Sequence, residues 1–225
     1  MISDNKSRTL FEHLPVEIIL HILDFFSFQQ LLTSFSNLNL CINAIIQSVR
    51  HKYHGVRNNS IDSIQLLQAF PTLIDRFVII NSDTVDLTAL INLRSLSLEY
   101  ATYTQLNSIR PECFPLLEIL HIKDVHESSK DNAKVIHNIF EVILSNGFPR
   151  LRICTALDVG TVPFNKTWTG SPNLRVLNLP IRTDEDKEKL RRKFPQICRL
   201  TTYEQSLIDP NPSKSYDYLS ETVLY

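Results

Sequence analysis

The chain has 225 residues, 43% of them apolar and 21% charged, with 23 basic and 24 acidic side chains. That balance is globular and excludes a disordered or collagen-like polypeptide. A net charge of −1 offers no global attraction to nucleic acid or to an acidic membrane, so neither is an expected partner.

The opening, Met1 to Leu10, is polar and reads as a flexible N-terminus without the apolar stretch of a secretory signal. No apolar run approaches the roughly 18 residues of a membrane span. A cytoplasmic or nuclear protein is therefore expected. The four cysteines, Cys41, Cys113, Cys154 and Cys198, form no CxxC pair and no tight zinc spacing, which predicts reduced thiols in or near a core. The four glycines fit neither a phosphate-cradling loop nor a nucleophile elbow. No catalytic residue, metal ligand or cofactor is expected, and the chain is read as a non-enzyme.

Residues 11–50 carry three amphipathic helical patterns. Pro15 suits a first helical turn, where its missing N–H costs nothing, and Glu17 then meets the positive end of the helix dipole. Ile18, Ile22 and Phe26 recur at i, i+4 and i+8, with Ile19 and Leu23 beside them. Ser27 and Gln30 match a capping box, which predicts a second helix with Leu31, Leu32 and Phe35 on its apolar side. After Asn37 and Asn39, Ile42, Ile45, Ile46 and Val49 form a third stripe. Three short helices cannot bury all of this among themselves, so an edge at Leu14–Pro15 would favour a partner.

The ordered set Leu14, Pro15, Glu17, Ile18, Ile22, Leu23, Phe26, Ser27, Leu31 and Leu32 resembles the F-box. The resemblance covers about 40 N-terminal residues, assigned here to 11–54. Many F-boxes carry Cys-Arg-x-Trp in the third helix, whereas this chain has Asn39-Leu40-Cys41-Ile42. The resemblance implies docking on a Skp-type adaptor and, through it, on a cullin. Leu14, Pro15, Glu17, Ile18, Ile22, Leu23, Phe26, Leu31 and Leu32 would then be the adaptor-binding residues.

Behind these helices a tetrapeptide recurs: Phe70-Pro-Thr-Leu73, Leu90-Ile-Asn-Leu93, Phe114-Pro-Leu-Leu117, Phe148-Pro-Arg-Leu151, Ser171-Pro-Asn-Leu174 and Phe194-Pro-Gln-Ile197. Starts are 20, 24, 34, 23 and 23 residues apart. The second leucine opens an LxxLxL alternation in Leu93–Leu98, Leu117–Ile122 and Leu174–Leu179. Such alternation predicts short strands whose leucines face inward, and stacking the units buries a leucine column. Helices are predicted at Ile61–Ala69, at Lys134–Ser145 with a stop at Asn146-Gly147, and at Asp184–Lys193 after Thr183 as cap.

These units resemble degenerate leucine-rich repeats, about six of them over residues 55–203, followed by a tail or cap at 204–225. The expected fold is α+β with repeats: a three-helix F-box followed by an irregular leucine-rich-repeat-like α/β solenoid with a parallel sheet. The implied function is that of a substrate-recognition adaptor in a Skp–cullin–F-box ubiquitin ligase, the repeats holding an unknown target protein. The alternative is a repeat scaffold unrelated to ubiquitin, with the helices as its cap.

Strand register places Ser97, Glu99, His121, Lys123, Thr155, Asn178, Arg199, Thr201 and Tyr203 on the outward, target-facing side, among Ser95, Ile119, Ile153, Leu157 and Val176. His51 and His54 read as a solvated helix end, and His137 as part of an amphipathic helix. In the unpatterned stretch Gly160–Pro172, Trp168 is either a binding hot spot or an anchor for the loop.

Overall fold

The computed structural model describes residues 11–35, 38–49, 52–69, 71–125, 130–157, 159, 164–179 and 183–201. Seven strands form one all-parallel sheet: β1 (Lys52–Arg57), β2 (Ile74–Ile80), β3 (Ser95–Ala101), β4 (Ile119–Val125), β5 (Ile153–Leu157), β6 (Val176–Asn178) and β7 (Arg199–Thr201). Their spatial order is their order in the chain, β1 to β7. The chain is therefore an α/β protein in which each strand is added beside the last. Among the described residues no helix is long and apolar enough to cross a membrane.

The repeated tetrapeptide is a tight turn that feeds strands β3 to β7. The amide of Leu117 bonds back to the carbonyl of Phe114 at 3.2 Å, and Leu151 does the same to Phe148, Leu174 to Ser171 and Ile197 to Phe194. Proline stands at the second turn position, where its fixed φ is already correct. The unit without proline makes the same turn, Leu93 N–H to the Leu90 carbonyl at 3.0 Å. The phenylalanines Phe114, Phe148 and Phe194 are buried, so each turn is also an anchor.

Register then aligns the apolar columns. Phe77, Leu96, Leu120, Cys154, Leu177 and Leu200 are successive partners across six strands. Ile79, Leu98, Ile122 and Ala156 form the next column. Apart from half-buried Leu200, all are buried. The first repeat is offset by one residue: a 3-10 turn at Pro71–Leu73 hands the chain to Ile74, so Ile74, Phe77 and Ile79 do what Leu93, Leu96 and Leu98 do in the next unit. Cys154 replaces a leucine, and full burial pushes its thiol pKa up to about 12.

Six helices follow the sequence pattern closely. They are α1 (Val16–Leu23), α2 (Phe28–Phe35), α3 (Leu40–Ser48), α4 (Ile61–Ala69), α6 (Lys130–Leu144) and α7 (Asp184–Lys193). Ser27 and Gln30 cap α2 reciprocally, the Ser27 amide donating to Oε1 of Gln30 at 2.9 Å. Asn39 caps α3 by accepting from the Ile42 amide at 2.8 Å, and Thr183 caps α7 through the Asp186 amide at 3.1 Å. The seventh helix, α5 (Tyr103–Asn107), went unread; its signal is the Thr102/Gln105 capping box.

Strand β1 lies outside the repeat pattern, so seven strands stand where six units were expected, and a boundary at residue 54 cuts through β1. Helix α2 packs on β1 and α4, and one apolar core runs continuously from Ile19 to Phe194. His54 corrects the sequence expectation. It is no solvated helix end but an inward strand residue, 4% exposed. Its Nε2 and the Ser63 carbonyl are 2.9 Å apart, and its ring packs between Phe28 and Phe77. His51 lies outside the described residues.

Candidate functional site

Two surfaces carry the residues singled out in the sequence. The first is the helical end. Pro15 stands at the N-cap of α1 with φ −53°, one residue earlier than expected, and its carbonyl accepts from Ile18 and Ile19. Leu14 is half-buried against the core, whereas Pro15, Glu17 and Ile18 are exposed. Ile22 and Phe26 are half-buried, the Phe26 ring meeting Phe35 edge-on at 5.1 Å.

Leu23 and Leu31 are sealed in the core together with Ile19, Ile42 and Ile46. They hold the helices and have no surface left for a partner. Leu32 lies within α2, but its side chain is outside what is described. The structure adds apolar side chains that periodicity had not selected: Val16, Phe25 at 81% exposure, Leu38, and Leu40 at 87%. They escaped notice because the helical pattern identifies the face that packs, and these stand on the other side or between helices.

The second surface is the outward side of the sheet. Across β2 to β7 its middle column runs Val78, Ser97, His121, Thr155, Asn178 and Thr201. The column toward the strand starts reads Arg76, Ser95, Ile119, Ile153, Val176 and Arg199, and the one toward the strand ends Ile80, Glu99, Lys123 and Leu157. All the predicted outward residues from Ser97 to Thr201 are therefore brought onto one face. Tyr203 lies outside the described residues.

Chemistry on this face is graded. Lys123 donates to Glu99 at 2.9 Å, and this hydrogen bond raises the lysine pKa above its ordinary value. The His121 ring bonds to the Thr155 hydroxyl, while burial lowers the His121 pKa, so the ring is neutral at pH 7. Oδ1 of Asn178 is buried and has no hydrogen-bond partner among the described residues. From Ser97 to Thr201 the middle column is thus polar and uncharged, with the aliphatic Ile119, Ile153 and Val176 beside it.

β1 extends the face by three residues, Tyr53, Gly55 and Arg57, opposite Arg76, Val78 and Ile80. The signal for it was the period-2 run Tyr53-His54-Gly55-Val56-Arg57, ending at Asn58-Asn59, both of which take left-handed backbone angles. A cavity of about 310 Å³ opens here, between the start of α2 and the outward side of β1 and β2.

Trp168 is an anchor. It is buried, its ring meets Phe164 edge-on at 5.4 Å, and its indole N–H donates to Glu141 on α6. Residues 160–163 of the same stretch lie outside the described set. Among the described residues no three His, Cys, Asp or Glu side chains are placed to hold a metal ion.

No family model and no curated protein matches the chain.

Proposed function

We propose that this chain is an F-box subunit with degenerate leucine-rich repeats, recruiting a target protein to a Skp–cullin–F-box ubiquitin ligase. The observation that supports the reading is the exposure of large apolar side chains in the helical segment: Val16, Ile18, Phe25 and Leu40 face water, Val16 and Ile18 next to the Leu14–Pro15 start of the F-box-like pattern. At roughly 25 cal/mol per Å², several such side chains supply a strong drive toward a protein partner. The adaptor would take this surface, and the outward sheet face would take the target. Ubiquitin transfer itself belongs to other subunits; this chain contributes proximity, in the cytoplasm or nucleus.

A second reading has one observation in its favour: α2 packs on β1, as a plain cap on a repeat scaffold would. Co-purification with a Skp-type adaptor separates the two. The F-box reading expects a complex that the double substitution Leu14→Ala, Pro15→Ala weakens. Failure of the intact chain to bind, or unchanged binding by that variant, overturns it.

A further inference from the structure

The outward face is more basic than the chain that carries it. Along it stand four basic residues, Arg57, Arg76, Lys123 and Arg199, against two carboxylates, Glu99 and Asp124. Both carboxylates lie within ion-pair distance of Lys123. Among the described residues neither Arg57 nor Arg76 makes a side-chain hydrogen bond or an ion pair. Both are exposed, on a protein of net charge −1.

Arg57 lines the cavity at the head of the sheet, and Arg76 stands just outside it, opposite the lining residue Tyr53. Arg57 is level with Ile80 and Arg76 with Tyr53, so four residues of β2 separate them. At about 3.3 Å per residue that is roughly 13 Å along the strand direction. Between them the floor is open because position 55 is glycine. A Cβ added there would stand 3.4 Å from the Tyr53 hydroxyl and 3.8 Å from the Val78 carbonyl, so the tyrosine ring leans over the gap. Ser27, Val78 and Ile80 complete the walls.

A cavity with one guanidinium group at its rim and a second beyond Tyr53 suits an occupant that carries negative charge on both sides of a small side chain. We propose that the head of the outward face seats an acidic, extended segment of a partner protein. An apolar side chain enters the cavity over Gly55, and carboxylates two residues to either side meet Arg57 and Arg76. In an extended chain residues i, i+2 and i+4 share one side, and i to i+4 spans the same roughly 13 Å. Two separated arginines over an apolar floor make a poor track for a polyanion backbone, which needs a continuous run of cations. The proposal rests on the reading of this face as the target-binding surface and names the chemistry it selects.

The probe is a fluorescein-labelled peptide, Gly-Ser-Asp-Ser-Leu-Ser-Asp-Ser-Gly, titrated with the full chain at low salt and read by anisotropy. The aspartate peptide is expected to bind and its lysine counterpart not to bind. Arg57→Gln and Arg76→Gln should each weaken binding about fivefold or more, as expected for loss of a charge-assisted contact. Gly55→Val, which fills the floor, should abolish it. Arg191→Gln, an exposed charge on α7 away from the outward face, should leave it unchanged. Equal binding of both peptides, an equal effect of Arg191→Gln, or binding only when phosphoserine replaces aspartate would overturn the proposal. So would tighter binding of a uridine 12-mer through the same arginines, or self-association of the chain that Arg57→Gln abolishes. Adaptor capture is scored on the same preparations, so loss of the F-box reading and loss of this one are told apart.

Discussion

The indole N–H of Trp168 donates to Oε2 of Glu141 at 2.7 Å, tying the loop before β6 to the middle of α6. The same carboxylate accepts from Asn165 Nδ2 at 2.9 Å and from the Thr167 hydroxyl at 3.0 Å. Burial works to raise the Glu141 pKa, but these three bonds outweigh it and hold the group below its ordinary value. A carboxylate depressed on folding contributes stability that is complete above its unfolded pKa and is lost as pH falls through the folded one. Glu141→Ala is expected to cost about 2–3 kcal/mol at pH 7, since it orphans a buried indole N–H as well as removing charged hydrogen bonds. Urea unfolding at pH 7 and pH 3.5 checks both points: the difference between wild type and Glu141→Gln should shrink in acid.

His54 and His121 set the response nearer neutrality. Burial lowers both pKa values, and for His54 the bond to the Ser63 carbonyl only partly opposes it. A histidine depressed on folding binds more protons unfolded than folded, so stability rises with pH. This contribution is complete above about 6.5, the unfolded value, and is lost as pH falls below it. The melting temperature should drop between pH 7.5 and pH 5.5. His54→Gln and His121→Gln should each flatten that slope; a wild-type melting temperature that holds steady or rises in acid contradicts the assignment.

Thiol chemistry reports on the repeat column. Cys41 and Cys198 are exposed and Cys154 is buried with its pKa near 12. An aromatic disulfide reagent should label Cys41 and Cys198 rapidly and Cys154 only as the chain unfolds. Rapid labelling of Cys154 in the native protein would remove it from the core column.

The end of α6 separates two roles that sit in one dipeptide. The left-handed residue is Asn146, at φ 63°, whereas Gly147 is required for space. A Cβ on Gly147 would lie 2.3 Å from Val142 Cγ1 and 2.8 Å from the Val142 carbonyl, to which the Gly147 amide donates. Gly147→Ala should therefore destabilise by about 1–3 kcal/mol. Asn146→Gly should be neutral or stabilising by up to about 1 kcal/mol, because glycine has no steric penalty there. Chemical denaturation of the two variants checks the contrast.

On the helical end, surface and core substitutions should part company. Ile18→Asp, at a site 48% exposed, is expected to abolish adaptor capture with little change in melting temperature. Leu23→Ala, at a fully buried site, should cost about 2–5 kcal/mol whatever it does to binding. Equal capture by Ile18→Asp and the wild type would remove α1 from the adaptor surface.

The sequence alone determined the repeat spacing, the inward columns, the caps of α2 and α7 and the outward register from Ser97 to Thr201, because each depends on residues at most a few positions apart. Turn chemistry at Pro115, Pro149 and Pro172, period-2 alternation and capping side chains are all local. Tertiary structure decided the rest. Strand β1 was hidden because Lys52, His54 and Arg57 are polar, and only packing between Phe28 and Phe77 makes His54 a core residue. The division of the F-box-like residues into exposed Pro15 and Ile18 and sealed Leu23 and Leu31 depends on which helix face the sheet end covers. Arg57 and Arg76 come onto one face near one cavity only when β1 and β2 pair, for they stand 19 positions apart in the chain.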